Sequence, residues 1–124
     1  MKTRVLLVED NAINMRLLRA VLEMHGYEVC EAADAEEALR MVGQFNPKLV
    51  LTDIQLPGMD GLELTRRLRA QPETSQLAIV AVTASAMRGD AERAIAAGCD
   101  GHIAKPIDTR IFPTIIAGYL EGRP

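Results

Sequence analysis

Five short apolar segments, each followed by a stretch with helical spacing, constrain this chain more than any other feature. The segments are Arg4-Val5-Leu6-Leu7-Val8, Tyr27 to Glu31, Leu49-Val50-Leu51-Thr52-Asp53, Ala78 to Thr83 and Gly101 to Ala104. Near-continuous apolar strands are what a sheet covered on both faces requires. Strands that alternate with helices give a parallel sheet with helices on both sides. The fold class expected is therefore α/β, a doubly wound five-stranded parallel sheet with five helices in the order 2-1-3-4-5. That order makes the first and third strands neighbours at the switch point, where ligands bind.

Local signals place the helices. Asn11 can cap the first, and Ile13, Leu17, Ala20, Val21 and Met24 fall on one helical face, with Gly26 as the stop. Asp34 with Glu37, and Asp60 with Glu63, form capping boxes for the second and third helices. Ala35, Ala38, Leu39 and Val42 mark the second, which Asn46-Pro47 ends, and the third runs through about Ala70. The fourth spans roughly Met87 to Ala97 and stops at Gly98. Asp108 is a candidate cap for a final helix that is expected to be short or irregular, beginning properly near Pro113, because Pro113 fits only a first turn and Gly118 disfavours an interior one.

At 124 residues the chain is read as one domain, 1–124, large enough to bury a core without metal or disulfide staples. Aromatic residues make up 3% and Trp is missing, so that core must be aliphatic. A net charge of −3 with no Lys/Arg block argues against nucleic acid as a partner. No apolar run approaches a membrane span, and Met1-Lys2-Thr3-Arg4 leads straight into a strand rather than a cleavable leader, so a cytoplasmic location and no membrane partner are expected. Cys30 and Cys99 stand alone and read as buried or half-buried thiols, and His25 reads as a helix-end residue.

The chemistry gathers at the C-terminal ends of the strands. Glu9 and Asp10 follow the first strand, and Asp53 ends the third. Neighbouring strands lie about 4.8 Å apart, so three carboxylates there would repel unless a divalent cation joined them. The donors are hard oxygens without Cys or His, which favours Mg2+ or Mn2+ over zinc. Thr83 adds a hydroxyl at the end of the fourth strand and Lys105 an ammonium after the fifth. Metal, carboxylate, hydroxyl and ammonium together suit phosphoryl transfer to a carboxylate.

As an ordered set, Glu9-Asp10-Asn11, Asp53 with Leu56-Pro57-Gly58-Met59-Asp60-Gly61, Thr83-Ala84 and Lys105-Pro106 resemble a response-regulator receiver domain of the CheY-like fold over nearly the whole chain. Val8-Glu9-Asp10-Asn11 and Val82-Thr83-Ala84 with Met87 look most like single-domain, DivK-like regulators. The resemblance implies that Asp53 is the phosphoacceptor. It implies that Asp10, Asp53 and the Gln55 backbone carbonyl ligate Mg2+, with Glu9 reaching it through water. Thr83 would turn toward the phosphoryl group, Lys105 would pair with one of its oxygens, and Ala84 would leave room for it. Lys105-Pro106 would be a cis bond, and Gln55 and Ser85 would tune the lifetime of the acyl phosphate. Where the family usually carries Tyr or Phe as an inward-swinging switch, this chain has His102. It is either a solvent-facing polar residue or a switch with added pH sensitivity.

The function so implied is two-component signalling. A phosphohistidine on a sensor kinase or phosphotransfer protein donates to Asp53. The outcome is an altered protein–protein contact, through the face of helix four, strand five and helix five, or onward relay of the phosphoryl group. The chain would be a monomer or weak dimer and would catalyse only its own phosphorylation and dephosphorylation. An Asp-nucleophile phosphohydrolase would need a second Asp two residues on, where Gln55 stands. A dinucleotide-binding domain would need a Gly-rich first turn, where the acidic Glu9-Asp10-Asn11 stands. A receiver belonging to a hybrid kinase or a DNA-binding regulator is the remaining alternative.

Overall fold

The computed structural model describes residues 2–84 and 89–121. Five strands, β1 (Arg4–Val8), β2 (Glu28–Ala32), β3 (Leu49–Asp53), β4 (Ala78–Thr83) and β5 (Gly101–Ala104), alternate with α1 (Ala12–Met24), α2 (Ala35–Phe45), α3 (Gly61–Ala70), α4 (Asp90–Ala97) and α5 (Phe112–Glu121). The sheet is parallel throughout, in the order β2-β1-β3-β4-β5. Only β2 departs from the strand bounds expected, shifted by one residue at both ends to Glu28–Ala32.

Side chains alternate across the sheet because the strand period is two. Leu6, Val8, Val50, Ile79 and Ala81 face α2, α3 and α4, whose Ala38, Leu64 and Ala94 are fully buried against them. Val5, Leu7, Leu49, Leu51 and Val80 face α1 and α5, where Leu22, Phe112 and Ile116 are equally buried. Small Ala side chains on α2 and α4 let those helices lie close to the sheet, and Phe112 supplies the one large aromatic among the most deeply buried side chains. Cys99 is buried and Cys30 half-buried, both free.

The expected inward face of α1 is corrected. Met15, Leu18 and Leu22 point into the core, while Ile13 and Met24 are 78% and 79% exposed and Leu17 is 49% exposed. Apolar residues cover more than half of this helix, so a 3.6 period fits two stripes. Packing against the sheet chose Met15-Leu18-Leu22, and the other stripe faces outward.

The caps behave as their chemistry requires. Asn11 Oδ1 accepts from the backbone N–H groups of Ile13 and Asn14, both at 3.0 Å. Asp34 accepts from Glu37 N and Asp60 from Glu63 N, each at 2.8 Å. Asn46 closes α2 in the left-handed region with φ 55°. His25 ends α1, its Nδ1 3.0 Å from the Val21 carbonyl. Asp108 caps a separate turn, accepting from Arg110 N at 3.0 Å, and α5 proper begins at Phe112 with Pro113 in its first turn; the expected short or irregular helix is instead a ten-residue one that runs through Gly118. The expected start of the fourth helix, at Met87, lies outside the described residues.

Arg69 braces the lower part of this frame. Its guanidinium donates to the carbonyls of Gly98, Ser75 and Leu77 and to Asp100 Oδ2, and that same carboxylate oxygen accepts from Ile79 N. One side chain thereby joins the end of α3, the following loop, the end of α4 and the start of β4.

Candidate functional site

Register builds the site. Val8 pairs with Thr52 across β1 and β3, so the next residues, Glu9 and Asp53, stand side by side at the sheet edge. Thr83 pairs with Ala104 across β4 and β5, which sends Lys105 over the same edge. The Lys105 N–H donates to the Thr83 carbonyl at 2.8 Å and fixes that exit.

Glu9 and Asp53 are 5% and 4% exposed, and Asp10 is exposed. One carboxylate oxygen from each of the three lies within 4.8 Å of the others. Lys105 Nζ sits 3.0 Å from Asp53 Oδ1, 3.2 Å from Oδ2 and 3.8 Å from Glu9 Oε1. Asn11 N donates to Glu9 Oε2 at 3.1 Å. A cleft of about 520 Å³ opens over these groups and is walled by Asn14, Gln55, Leu56, Pro57 and Ala84 as well.

The electrostatics leave a surplus of negative charge. Burial raises the pKa of Glu9, and contact with the Asp53 carboxylate raises it further, against the Asn11 N–H and Lys105. Burial alone would lower Lys105, but pairing with Asp53 and the nearby charges of Glu9 and Asp10 outweigh it and hold the ammonium above its usual range. Three acids face one ammonium, and the donors are hard oxygens, a set that fits Mg2+. The Thr83 hydroxyl is fully buried at the same edge and has no hydrogen-bond partner among the described residues. A buried hydroxyl left unpaired costs free energy unless a ligand completes it.

The structure thus brings Glu9, Asp10, Asp53, Gln55, Ala84 and Lys105 to one cleft, with Thr83 at its edge. The Lys105–Pro106 bond is cis, as expected. His102 is not brought in. It lies exposed on β5, beside a groove shared with Ile111 and Ile115. Ser85 lies outside the described residues. Sequence spacing does not reveal Asn14 and Leu17 as site neighbours, because it turns the Ile13-Leu17-Met24 stripe of α1 inward. Both line a second groove, of about 350 Å³, that shares Glu9 and Lys105 with the cleft and continues over Pro106 and Ile107.

A five-stranded 2-1-3-4-5 sheet with an acidic cluster and a lysine at its switch point defines a receiver domain of two-component signalling. Residues 5–117 match the response regulator receiver domain family, and the chain belongs to it. It is 42% identical over 120 residues to the polar-differentiation response regulator DivK of Brucella ovis, covering 97% of this chain and 98% of that one. Among solved structures it is similar to the receiver domain of sensor histidine kinase PA1611 from Pseudomonas aeruginosa, which has a magnesium ion coordinated in its active-site cleft (TM-score 0.89, 34% identity, 97% and 98% of the chains). It is also similar to the receiver domain of the Saccharomyces cerevisiae response regulator Ssk1, co-crystallised with the histidine phosphotransfer protein Ypd1 (TM-score 0.86, 28% identity, 95% and 88%).

The family's function is phosphorylation-dependent signalling in partnership with histidine kinases or phosphotransfer proteins, and its members are regulators rather than turnover enzymes on an external substrate. Receiver domains bind Mg2+ at the acidic pocket that Glu9, Asp10 and Asp53 form here. No helix among the described residues is long and apolar enough to cross a membrane.

Proposed function

We propose that Asp53 accepts a phosphoryl group from a phosphohistidine and that the chain works as a single receiver domain over residues 1–124, catalysing only its own phosphorylation and dephosphorylation. The observation that carries this is the position of the Asp53 carboxylate, buried at the end of β3 with Lys105 Nζ 3.0 Å away and two further acids beside it. An Asp53 oxygen attacks phosphorus, the bond from phosphorus to the donor imidazole breaks, and the acyl phosphate forms. Asp10, Asp53 and the Gln55 carbonyl would hold Mg2+, or Mn2+ in its place, with Glu9 acting through water. The ion would offset charge on the carboxylates and the phosphoryl oxygens. Lys105 pairs with a phosphoryl oxygen, and the Thr83 hydroxyl, which has no partner among the described residues, donates to another. Ala84 leaves the space open, and Gln55 and Ser85 set how readily water reaches the acyl phosphate.

The donor docks on α1. Ile13, Leu17 and Met24 form an exposed apolar stripe, and Leu17 borders the groove that shares Glu9 and Lys105 with the cleft. A helix carrying the phosphohistidine and laid in that groove would bring its imidazole to Asp53. Phosphorylation then shifts an inactive–active equilibrium that is read from the face of α4, β5 and α5, with His102 as the side chain that changes position. The outcome is a changed contact with a downstream protein or relay of the phosphoryl group, in the cytoplasm, by a monomer or weak dimer.

The test is intact mass after incubation with Mg2+ and acetyl phosphate, beside Asp53→Asn and a chelator control. One added phosphoryl group that vanishes in both controls is expected. An Asp53→Asn protein that is phosphorylated like wild type would overturn the assignment.

A further inference from the structure

We propose that Gly61 is a positioning residue for the Asp53 carboxylate, holding the acceptor peptide by direct backbone contact. This rests on Asp53 as the phosphoacceptor and adds what keeps it in place. A Cβ built on Gly61 would lie 2.0 Å from the Asp53 carbonyl oxygen, 3.0 Å from its carbonyl carbon and 3.1 Å from Ile54 Cα. Carbon and a carbonyl oxygen touch at roughly 3.3 Å, so no side chain fits unless the Asp53–Ile54 peptide or the start of α3 moves on the order of 1 Å.

Conformational freedom is not the reason for a glycine here. The φ of Gly61 lies outside the left-handed region, unlike that of Gly58 at +74°, where a Cβ would meet open space. Gly61 is required for closeness.

The surroundings leave neither partner an escape. Gly61 N donates to the Ile54 carbonyl at 2.8 Å. The Gly61 carbonyl accepts from Thr65 Oγ1 at 2.8 Å, and the Thr65 hydroxyl lies 3.5 Å from Cys99 Sγ. On the other side, Thr52 Oγ1 donates to the Asp53 carbonyl at 2.9 Å. Thr52, Thr65 and Gly61 are all buried. The acceptor carbonyl is therefore held between the Thr52 hydroxyl and the first Cα of α3, and α3 is fastened to the β3 exit by its own N–H. Displacing that carbonyl tilts the Asp53 side chain away from Lys105 and from Glu9 and Asp10. A misplacement of about 1 Å costs a reaction of this kind on the order of 100-fold.

The experiment compares wild type, Gly61→Ala, Thr52→Val, Thr52→Ser and the control Gly43→Ala, an exposed helical site where a Cβ meets nothing within 4 Å. Three quantities are read: backbone amide shifts without metal, the Mg2+ dissociation constant by NMR titration, and the acetyl phosphate phosphorylation rate at saturating Mg2+. Gly61→Ala is expected to unfold cooperatively in denaturant yet shift amides at residues 52–54. It should weaken Mg2+ binding at least about tenfold and slow phosphorylation about 100-fold. Gly43→Ala should match wild type. A folded Gly61→Ala that binds Mg2+ and is phosphorylated within twofold of wild type would overturn the proposal.

If Gly61→Ala does not fold, Thr52→Val decides, since it removes the hydroxyl without adding bulk. A several-fold loss of Mg2+ affinity restored by Thr52→Ser supports the proposal, and a Val variant equal to wild type overturns it. Wild type that takes no phosphoryl group would instead strike at Asp53 as acceptor, while the shifts and Mg2+ titration would still report on its placement.

Discussion

Removing one charge from the acidic cluster should stabilise the metal-free protein and roughly halve its stabilisation by Mg2+. Glu9→Gln is the cleanest perturbation, because an amide oxygen can still accept from Asn11 N as Glu9 Oε2 does at 3.1 Å. At an effective dielectric near 20, the repulsion from Asp53, at 4.8 Å or less, is at least about 3.5 kcal/mol. The attraction to Lys105 at 3.8 Å is about 4.4 kcal/mol on the same scale. Asp53 therefore offsets most or all of the attraction to Lys105. What remains is the burial of a 5% exposed carboxylate and the screened repulsion from Asp10, a net penalty on the order of 1 kcal/mol.

In chelator at pH 7, Glu9→Gln should therefore melt about 4 °C higher than wild type. Mg2+ at a hundred times its dissociation constant stabilises wild type by about 2.7 kcal/mol, and a tenfold weaker site gains only about 1.4 kcal/mol, so the variant's advantage is erased. The pH sign follows from the raised pKa of Glu9. Above its ordinary 4.5 the folded chain binds more protons than the unfolded one, so wild type gains stability as pH falls through that window. The gap between wild type and variant should close there. Thermal melts in chelator and in Mg2+ read all of this. A variant less stable than wild type in chelator, or a gap indifferent to Mg2+, would refute the reasoning.

Other expectations follow from single contacts. Thr83→Ala should leave metal-free stability unchanged or raise it by up to about 1 kcal/mol, because its buried hydroxyl has no partner among the described residues, while the shift caused by beryllofluoride is lost, as NMR would register. Arg69→Ala should lower the denaturation free energy by about 2–3 kcal/mol, since it removes a donor from three carbonyls and the charge partner of Asp100. Ile13→Ala with Leu17→Ala should hardly change stability, both side chains being exposed. The pair should slow phosphorylation by a histidine phosphotransfer protein about tenfold, as a change of about 1.4 kcal/mol in docking would, and leave the acetyl phosphate rate alone.

Most of the fold was legible because its signals were local and redundant. β3 was marked by its apolar run and α3 by Asp60 with Glu63, so both elements fell where their chemistry placed them. The α1 face was not legible, because Ile13-Leu17-Met24 and Met15-Leu18-Leu22 satisfy the same period and only packing into the cluster that holds Val5, Leu7 and Val29 separates them. The charged site residues could be read because carboxylates and a lysine at strand ends have few other reasons to converge. Gly61 could not, since a glycine at a helix start has ordinary uses, and its distance from the Asp53 carbonyl exists only in the folded chain.

The measurement that bears most directly on the central claim is the position of the acyl phosphate. Protein phosphorylated by a histidine phosphotransfer protein in Mg2+ is reduced with borohydride, which converts an aspartyl phosphate to homoserine, and the peptides are sequenced by mass spectrometry. Homoserine at position 53 alone, missing from the chelator control, is the result predicted. Homoserine at position 10, or a phosphoryl group that survives reduction on another side chain, would contradict it.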